Sequence, residues 1–117
     1  RELGALAASQ VNGCRYCANV HARQHIRLSG SSDVIAALWT EDRAALSARD
    51  AAIVTFAEAL TATPPNADKS HIAALKAAGL EPFEIIDLIH AIAIFGWANR
   101  LMHPLGHSDN EEKRTSP

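Results

Sequence analysis

The sequence predicts an all-α domain, a helical bundle of about six helices. Alanine, leucine and isoleucine dominate the apolar residues, which make up 48% of the 117-residue chain, whereas only 5% are aromatic. Helix-forming residues therefore outnumber the β-branched and aromatic residues that strands prefer. Apolar positions also recur at helical spacing between breaks rich in glycine, proline and serine, and no segment alternates as a strand does.

Capping and turn residues place the helix boundaries. We predict helices at residues 2–12, 14–28, 33–39, 51–60, 68–78 and 82–101. Asn12-Gly13 ends the first helix, and the Ser-Gly-Ser-Ser run at 29–32 separates the second from the third. Ser47 and Asp50 resemble a capping box ahead of the fourth helix.

The last predicted helix is apolar nearly all round. Its most apolar stretch, residues 85–98, contains Asp87 and His90 and is shorter than the ~20 residues that span a bilayer. We therefore expect a buried core helix or a subunit interface, with no membrane partner. Because one small bundle cannot cover every side of such a helix, the sequence predicts a homo-oligomer.

Composition and charge narrow the function classes. The predicted domain covers residues 1–107, and the polar tail 108–117 is expected to be disordered. The formal net charge is −2 and no basic stripe is present, which argues against nucleic-acid binding. No secretory signal is visible, so we expect a cytoplasmic protein. Because the chain begins at Arg1 without a methionine, we also expect further residues upstream.

Chemistry concentrates in the segment from Asn12 to His21, which contains both cysteines of the chain. Cys14 and Cys17 lie at a predicted helix N-terminus, where free N–H groups and the helix dipole stabilise a thiolate. A Cys-x-x-Cys pair can also close reversibly into a small disulfide, and so short a loop contributes little as a structural staple. His21 follows Cys17 by four residues, so both share one helix face, where the imidazole can transfer a proton.

Three other kinds of site use cysteines at this spacing. Cys14, Cys17, His21 and His25 could together bind a metal, but the second half of a zinc site is missing. A c-type haem needs a histidine directly after the second cysteine, where this chain has Ala18. No strand precedes the motif, as a thioredoxin fold would require. We therefore predict no metal and no cofactor.

The motif resembles the AhpD-like alkylhydroperoxidases of the carboxymuconolactone decarboxylase family. Their pattern is a glutamate, a helix and then Cys-x-x-Cys-x-x-x-His. Glu2 stands twelve residues before Cys14, the offset that the family uses, and Cys17 and His21 match the remaining positions. The segment from Gly79 onwards is similar to the closing helix of the peroxidase-related branch, so the resemblance implies an AhpD-like helical bundle.

The resemblance implies roles for four residues. Cys17 would attack a peroxide and become a sulfenic acid, and Cys14 would resolve it as the Cys14–Cys17 disulfide. His21, with Glu2, would relay protons to and from Cys17. The residues alone do not choose between the two cysteines. The implied reductant is a dihydrolipoyl group or a thiol protein.

Two other functions remain open beside the peroxidase. One is a redox-sensing or interaction module without enzymatic activity. The other is the decarboxylase chemistry of the family, against which the intact dithiol argues because that branch does not depend on it.

Overall fold

The computed structural model describes residues 1–106, so His107 and the tail predicted over residues 108–117 lie outside it. The described part is all-helical, with no strand, and the predicted bundle of about six helices is confirmed. Its six α-helices are α1 Glu2–Val11, α2 Arg15–Ser29, α3 Asp33–Trp39, α4 Ala48–Thr61, α5 Lys69–Ala77 and α6 Pro82–Leu105. A short 3-10 helix, Arg43–Ala45, interrupts the connection between α3 and α4.

The first helix, α1, lies at the centre of the bundle and packs against α2, α4 and α6. All seven residues from Leu3 to Ser9 are buried. Five of these seven are glycine, alanine or serine, and their small side chains let neighbouring helices approach on several sides. The closest approach is at Gly4, which faces Leu88 and Ile92 of α6.

The capping serine of α4 gives a correction to the predicted boundary. Ser47 is the N-cap and its hydroxyl accepts a hydrogen bond from the Asp50 N–H at 3.1 Å, so α4 begins at Ala48 rather than at residue 51. A capping residue directly precedes its helix, so the predicted capping pair is correct and the predicted helix begins three residues too late. At α5, hydrogen bonds from Ser70 hold the pKa of the capping Asp68 carboxyl below its usual value.

The expectation of a buried last helix is only partly correct. One face of α6 enters the core through Ile85, Leu88 and Ile92, but Ile94 and Trp97 remain exposed. By length and composition α6 could cross a membrane, and 28% of its most apolar window is buried within the chain. Core helices of soluble proteins pass the same length and composition test, so a single helix of this kind is weak evidence for a membrane.

The close approach of α1 to α6 yields a stability prediction. A Cβ atom on Gly4 would lie 2.7 Å from Leu88 Cδ1, and both Leu88 and Ile92 are buried and cannot move aside. A Cβ atom on Gly96 would meet only the end of Arg100, at 3.4 Å. Because Gly4→Ala creates this clash whereas Gly96→Ala fits and gains helix propensity, we expect Gly4→Ala to be about 1–2 kcal/mol less stable than Gly96→Ala in urea unfolding. Equal stabilities would show that α1 and α6 are not packed this closely.

Candidate functional site

The turn between α1 and α2 fixes Cys14 from both sides. The N–H of Gly13 donates to the Gln10 carbonyl at 3.1 Å, and the N–H of Cys14 donates to the Ser9 carbonyl at 3.0 Å. This pair of bonds is a Schellman motif, and Gly13 supplies its left-handed residue with φ +69°. Cys14 is also the N-cap of α2, because its Sγ accepts the Cys17 N–H at 3.3 Å. One residue thus closes the first helix and opens the second.

Cys14 and Cys17 form a disulfide across the first turn of α2, with their Cα atoms 5.3 Å apart. Both cysteines are buried. Since the ring closes only four residues, it restricts the unfolded chain far less than a long-range bridge would. The pair is therefore better suited to reversible oxidation than to holding the fold together.

A histidine–carboxylate pair, in which the histidine is buried and the carboxylate is partly exposed, lies one helical turn along α2 from Cys17. His21 Nδ1 is 2.8 Å from Glu2 Oε2, and the His21 side chain is 8% exposed against 28% for Glu2. The helices α1 and α2 form a hairpin, so a residue about 10 Å along α2 returns opposite the start of α1. Glu2 and His21, nineteen residues apart in sequence, meet for this reason.

Helix α6 covers the site with three residues on one face. Phe95, Asn99 and Met102 are spaced by four and three residues, which aligns them along a helix. The Phe95 ring contacts the His21 ring edge to face, with centroids 4.1 Å apart and an interplanar angle of 76°. Met102 Sδ lies 3.2 Å from Cys17 Sγ.

The fully buried Asn99 links α6 by hydrogen bonds to the turn that contains Cys14. Its Nδ2 donates to Ser9 Oγ at 3.2 Å, and its Oδ1 accepts from Asn12 Nδ2, also at 3.2 Å. One turn further, His103 Nε2 donates to the Asn12 carbonyl at 2.6 Å. Two residues of α6 therefore hold both the end of α1 and the residue before Gly13.

Two cavities open beside the disulfide. The larger, of about 440 Å³, is lined by Cys14 together with Arg15, Asn19 and Trp39. The smaller, of about 300 Å³, is lined by Cys14, Tyr16, Met102 and His103 among others. Cys14 borders both cavities and Cys17 borders neither.

The four predicted site residues form two contacting pairs. Glu2 and His21 are in contact, and Cys14 and Cys17 are bonded to each other. His25 lines a cavity together with Glu2, and its buried Nδ1 has no hydrogen-bond partner. Within residues 1–106, no three histidine, cysteine or acidic side chains gather as a metal-binding group.

Sequence reasoning missed the contribution of α6. Met102 is the only methionine of the chain, and Asn99 is the only asparagine inside an apolar helix, but neither fact points to a cysteine some 80 residues earlier. The spacing of Phe95, Asn99 and Met102 could have shown that they share a face. Nothing in the sequence shows which element that face covers.

Comparison with known proteins identifies the segment that carries this geometry. The family model for the carboxymuconolactone decarboxylase family matches residues 1–59, half of the chain. A search of curated proteins found no match. The matched residues run from α1 into α4 and include Glu2, both cysteines and His21. The chain belongs to the carboxymuconolactone decarboxylase family, as its resemblance to the AhpD-like proteins suggests.

Proposed function

We propose that this chain is a thiol-dependent peroxidase of the alkylhydroperoxidase type, which reduces organic peroxides or hydrogen peroxide. The observation that carries the proposal is the disulfide between Cys14 and Cys17, one helical turn from His21, which is buried and paired with the partly exposed Glu2. A dithiol that closes easily and a neighbouring proton carrier are the two components that such a reaction needs.

In the oxidative half of the reaction, the Cys17 thiolate attacks one oxygen of the peroxide. A sulfur–oxygen bond forms and the oxygen–oxygen bond breaks, so Cys17 becomes a sulfenic acid and an alcohol, or water, leaves. The Cys14 thiolate then attacks the sulfenic sulfur. The disulfide forms and water leaves, and the two electrons gained by the peroxide have come from the two thiols.

His21 and Glu2 would move the protons of this cycle. Because Nδ1 of His21 is bound to Glu2, the Nε2 nitrogen is left to take a proton from Cys17 and return it to the leaving oxygen. The carboxylate holds the imidazole in one orientation and stabilises its charged form. Glu2 also lines a cavity of about 550 Å³ with Arg1 and His25, which offers the pair a path to solvent.

The reductive half needs an external thiol, for which we propose a dihydrolipoyl group or a thiol protein. Two successive thiols return two electrons to the disulfide and leave as an oxidised disulfide. The cavity of about 440 Å³ beside Cys14 supports this proposal, because Trp39 there offers an apolar wall for an aliphatic chain and Arg15 and Asn19 offer polar contacts.

A homo-oligomer is the proposed state of the protein. The exposed apolar residues of α6 are spaced by three, four or eight positions and form one stripe along the helix. They are Phe83, Ile86, Ile94, Trp97, Leu101 and Leu105. A stripe some 33 Å long is the pattern by which one helix packs along another, and a second copy of α6 presents the same pattern. Water would otherwise cover this surface at a cost that burial between subunits removes.

Peroxide consumption tests the proposed activity. With dihydrolipoamide as reductant, we expect the wild type to consume cumene hydroperoxide and hydrogen peroxide. Cys17→Ser should abolish turnover because the attacking sulfur is gone, and His21→Ala should slow it by about 100-fold or more. His90→Ala, on the exposed side of α6, is the matched control and should keep wild-type turnover. A wild type that consumes no peroxide while its disulfide still opens and closes would instead support a redox-sensing or interaction module.

The role of the carboxylate is tested separately by Glu2→Gln, which keeps the shape of the side chain and removes its charge. We expect at least about a tenfold loss of turnover with an unchanged thermal unfolding midpoint, because the charged form of His21 loses its partner. Glu58→Gln, which breaks an ion pair with Arg43 far from the disulfide, should have no effect on turnover. Wild-type turnover in Glu2→Gln would exclude the carboxylate from the relay.

Sedimentation tests the oligomer. We expect the wild type to sediment as an oligomer at micromolar concentration, and Ile94→Lys to shift it towards monomer by placing a charge in the stripe. Leu28→Lys is the control, since Leu28 is also exposed and apolar but lies on α2. A wild-type monomer would contradict the proposal, and flotation of that monomer with lipid vesicles would assign the stripe to a membrane surface.

A further inference from the structure

The two sulfurs of the disulfide differ in what surrounds them. Cys17 Sγ lies 3.2 Å from the Met102 thioether, and a disulfide sulfur has no proton, so this is a packing contact rather than a hydrogen bond. Met102 in turn lines the cavity of about 300 Å³, which Cys17 does not border. While the disulfide is closed, the Met102 side chain therefore separates Cys17 from the space that an incoming thiol can occupy. This shield is a property of the disulfide form, whereas peroxide meets Cys17 in the reduced dithiol form.

We propose that Met102 is a positioning residue that shields Cys17 Sγ and so directs an incoming thiol to Cys14. This inference deepens the proposed function, since it rests on a dithiol that is reduced by an external thiol. Thiol–disulfide exchange is decided in part by which sulfur the attacking thiolate can reach. Cys14 borders cavities on two sides, whereas the space beside Cys17 is filled by Met102.

The exchange consists of two successive thiol–disulfide displacements. The thiolate of the reductant attacks Cys14 Sγ, a new disulfide forms to Cys14, and the Cys14–Cys17 bond breaks. Its electron pair leaves on Cys17 as a thiolate, which takes a proton from His21 or from water. A second thiol then attacks the mixed disulfide, releases Cys14 as a thiolate and carries away the oxidised reductant.

The backbone around Met102 is held by hydrogen bonds of the neighbouring residues on α6. His103, the next residue, is bonded to the Asn12 carbonyl, and Asn99 is bonded to Ser9 and Asn12. A methionine side chain is unbranched with three rotatable bonds, so it can fill the space beside a sulfur closely. The shielding of Cys17 in this arrangement therefore depends on the Met102 side chain and not on the position of the α6 backbone.

Peptide mapping tests the proposal on the full chain, because trypsin cleaves after Arg15 and places the cysteines in separate peptides. The oxidised protein is exposed briefly to 2-mercaptoethanol, quenched with acid and alkylated with N-ethylmaleimide. In the wild type we expect the mercaptoethanol adduct on the Cys14 peptide and the maleimide on the Cys17 peptide, with an excess of about tenfold over the reverse pattern.

Two substitutions of Met102 separate shielding from other effects. Met102→Leu keeps a side chain of similar size and should retain the wild-type pattern, whereas Met102→Ala should bring the two adduct patterns to within about twofold of each other. Met102→Val, also shorter, serves as a second variant if the alanine variant does not fold, and circular dichroism checks each.

The outcomes also separate this inference from the peroxidase proposal, because the exchange assay contains no peroxide. The wild-type pattern in a protein without peroxidase activity would uphold the shield and reject only the oxidative half. An adduct mainly on Cys17, or an unchanged pattern in Met102→Ala, would overturn the role of Met102 whatever the peroxidase assay shows.

Discussion

The constraint on which the structure depends is the burial of α1 among three other helices. The neighbouring helices approach α1 closely because five of the seven residues from Leu3 to Ser9 are glycine, alanine or serine. Its start is then fixed beside α2, where Glu2 meets His21, and its end is fixed beside α6, where Ser9 meets Asn99. Both halves of the candidate site are therefore positioned by the packing of one short helix.

The same packing places Cys14 at the junction of α1 and α2. Its N–H completes the end of α1 and its sulfur caps the start of α2, so little freedom remains in its backbone. A rigid Cys14 keeps its Sγ one turn from Cys17, where a disulfide can open and close without movement of the helices. The redox pair is thus built into the turn itself, and the histidine–carboxylate pair is added by the hairpin that the turn creates.

Much of this arrangement is local in sequence, which explains why it could be predicted. The cysteine spacing and the four residues to His21 lie on one helix whose breaks and periodicity are visible in the chain, whereas Glu2 was indicated by the resemblance to the AhpD-like proteins, through its offset from Cys14. The start of α4 was misplaced because the capping serine was recognised but its helix was begun too late. The exposure of α6 and the position of Met102 depend on long-range packing, which periodicity does not describe.

Helix α6 links the two proposals through its opposite faces. One face holds Phe95 against His21 and Met102 against Cys17, while the other presents Ile94 and Trp97 to the outside. A helix of 24 residues moves largely as a rod, so a second subunit packed on its outer face would also hold the inner face over the disulfide. Packing of a second subunit on the exposed apolar stripe of α6 would then hold the Met102 side chain over Cys17 without adding any residue to the site. The family match ends at residue 59, so this cover belongs to the part of the chain that the match does not describe.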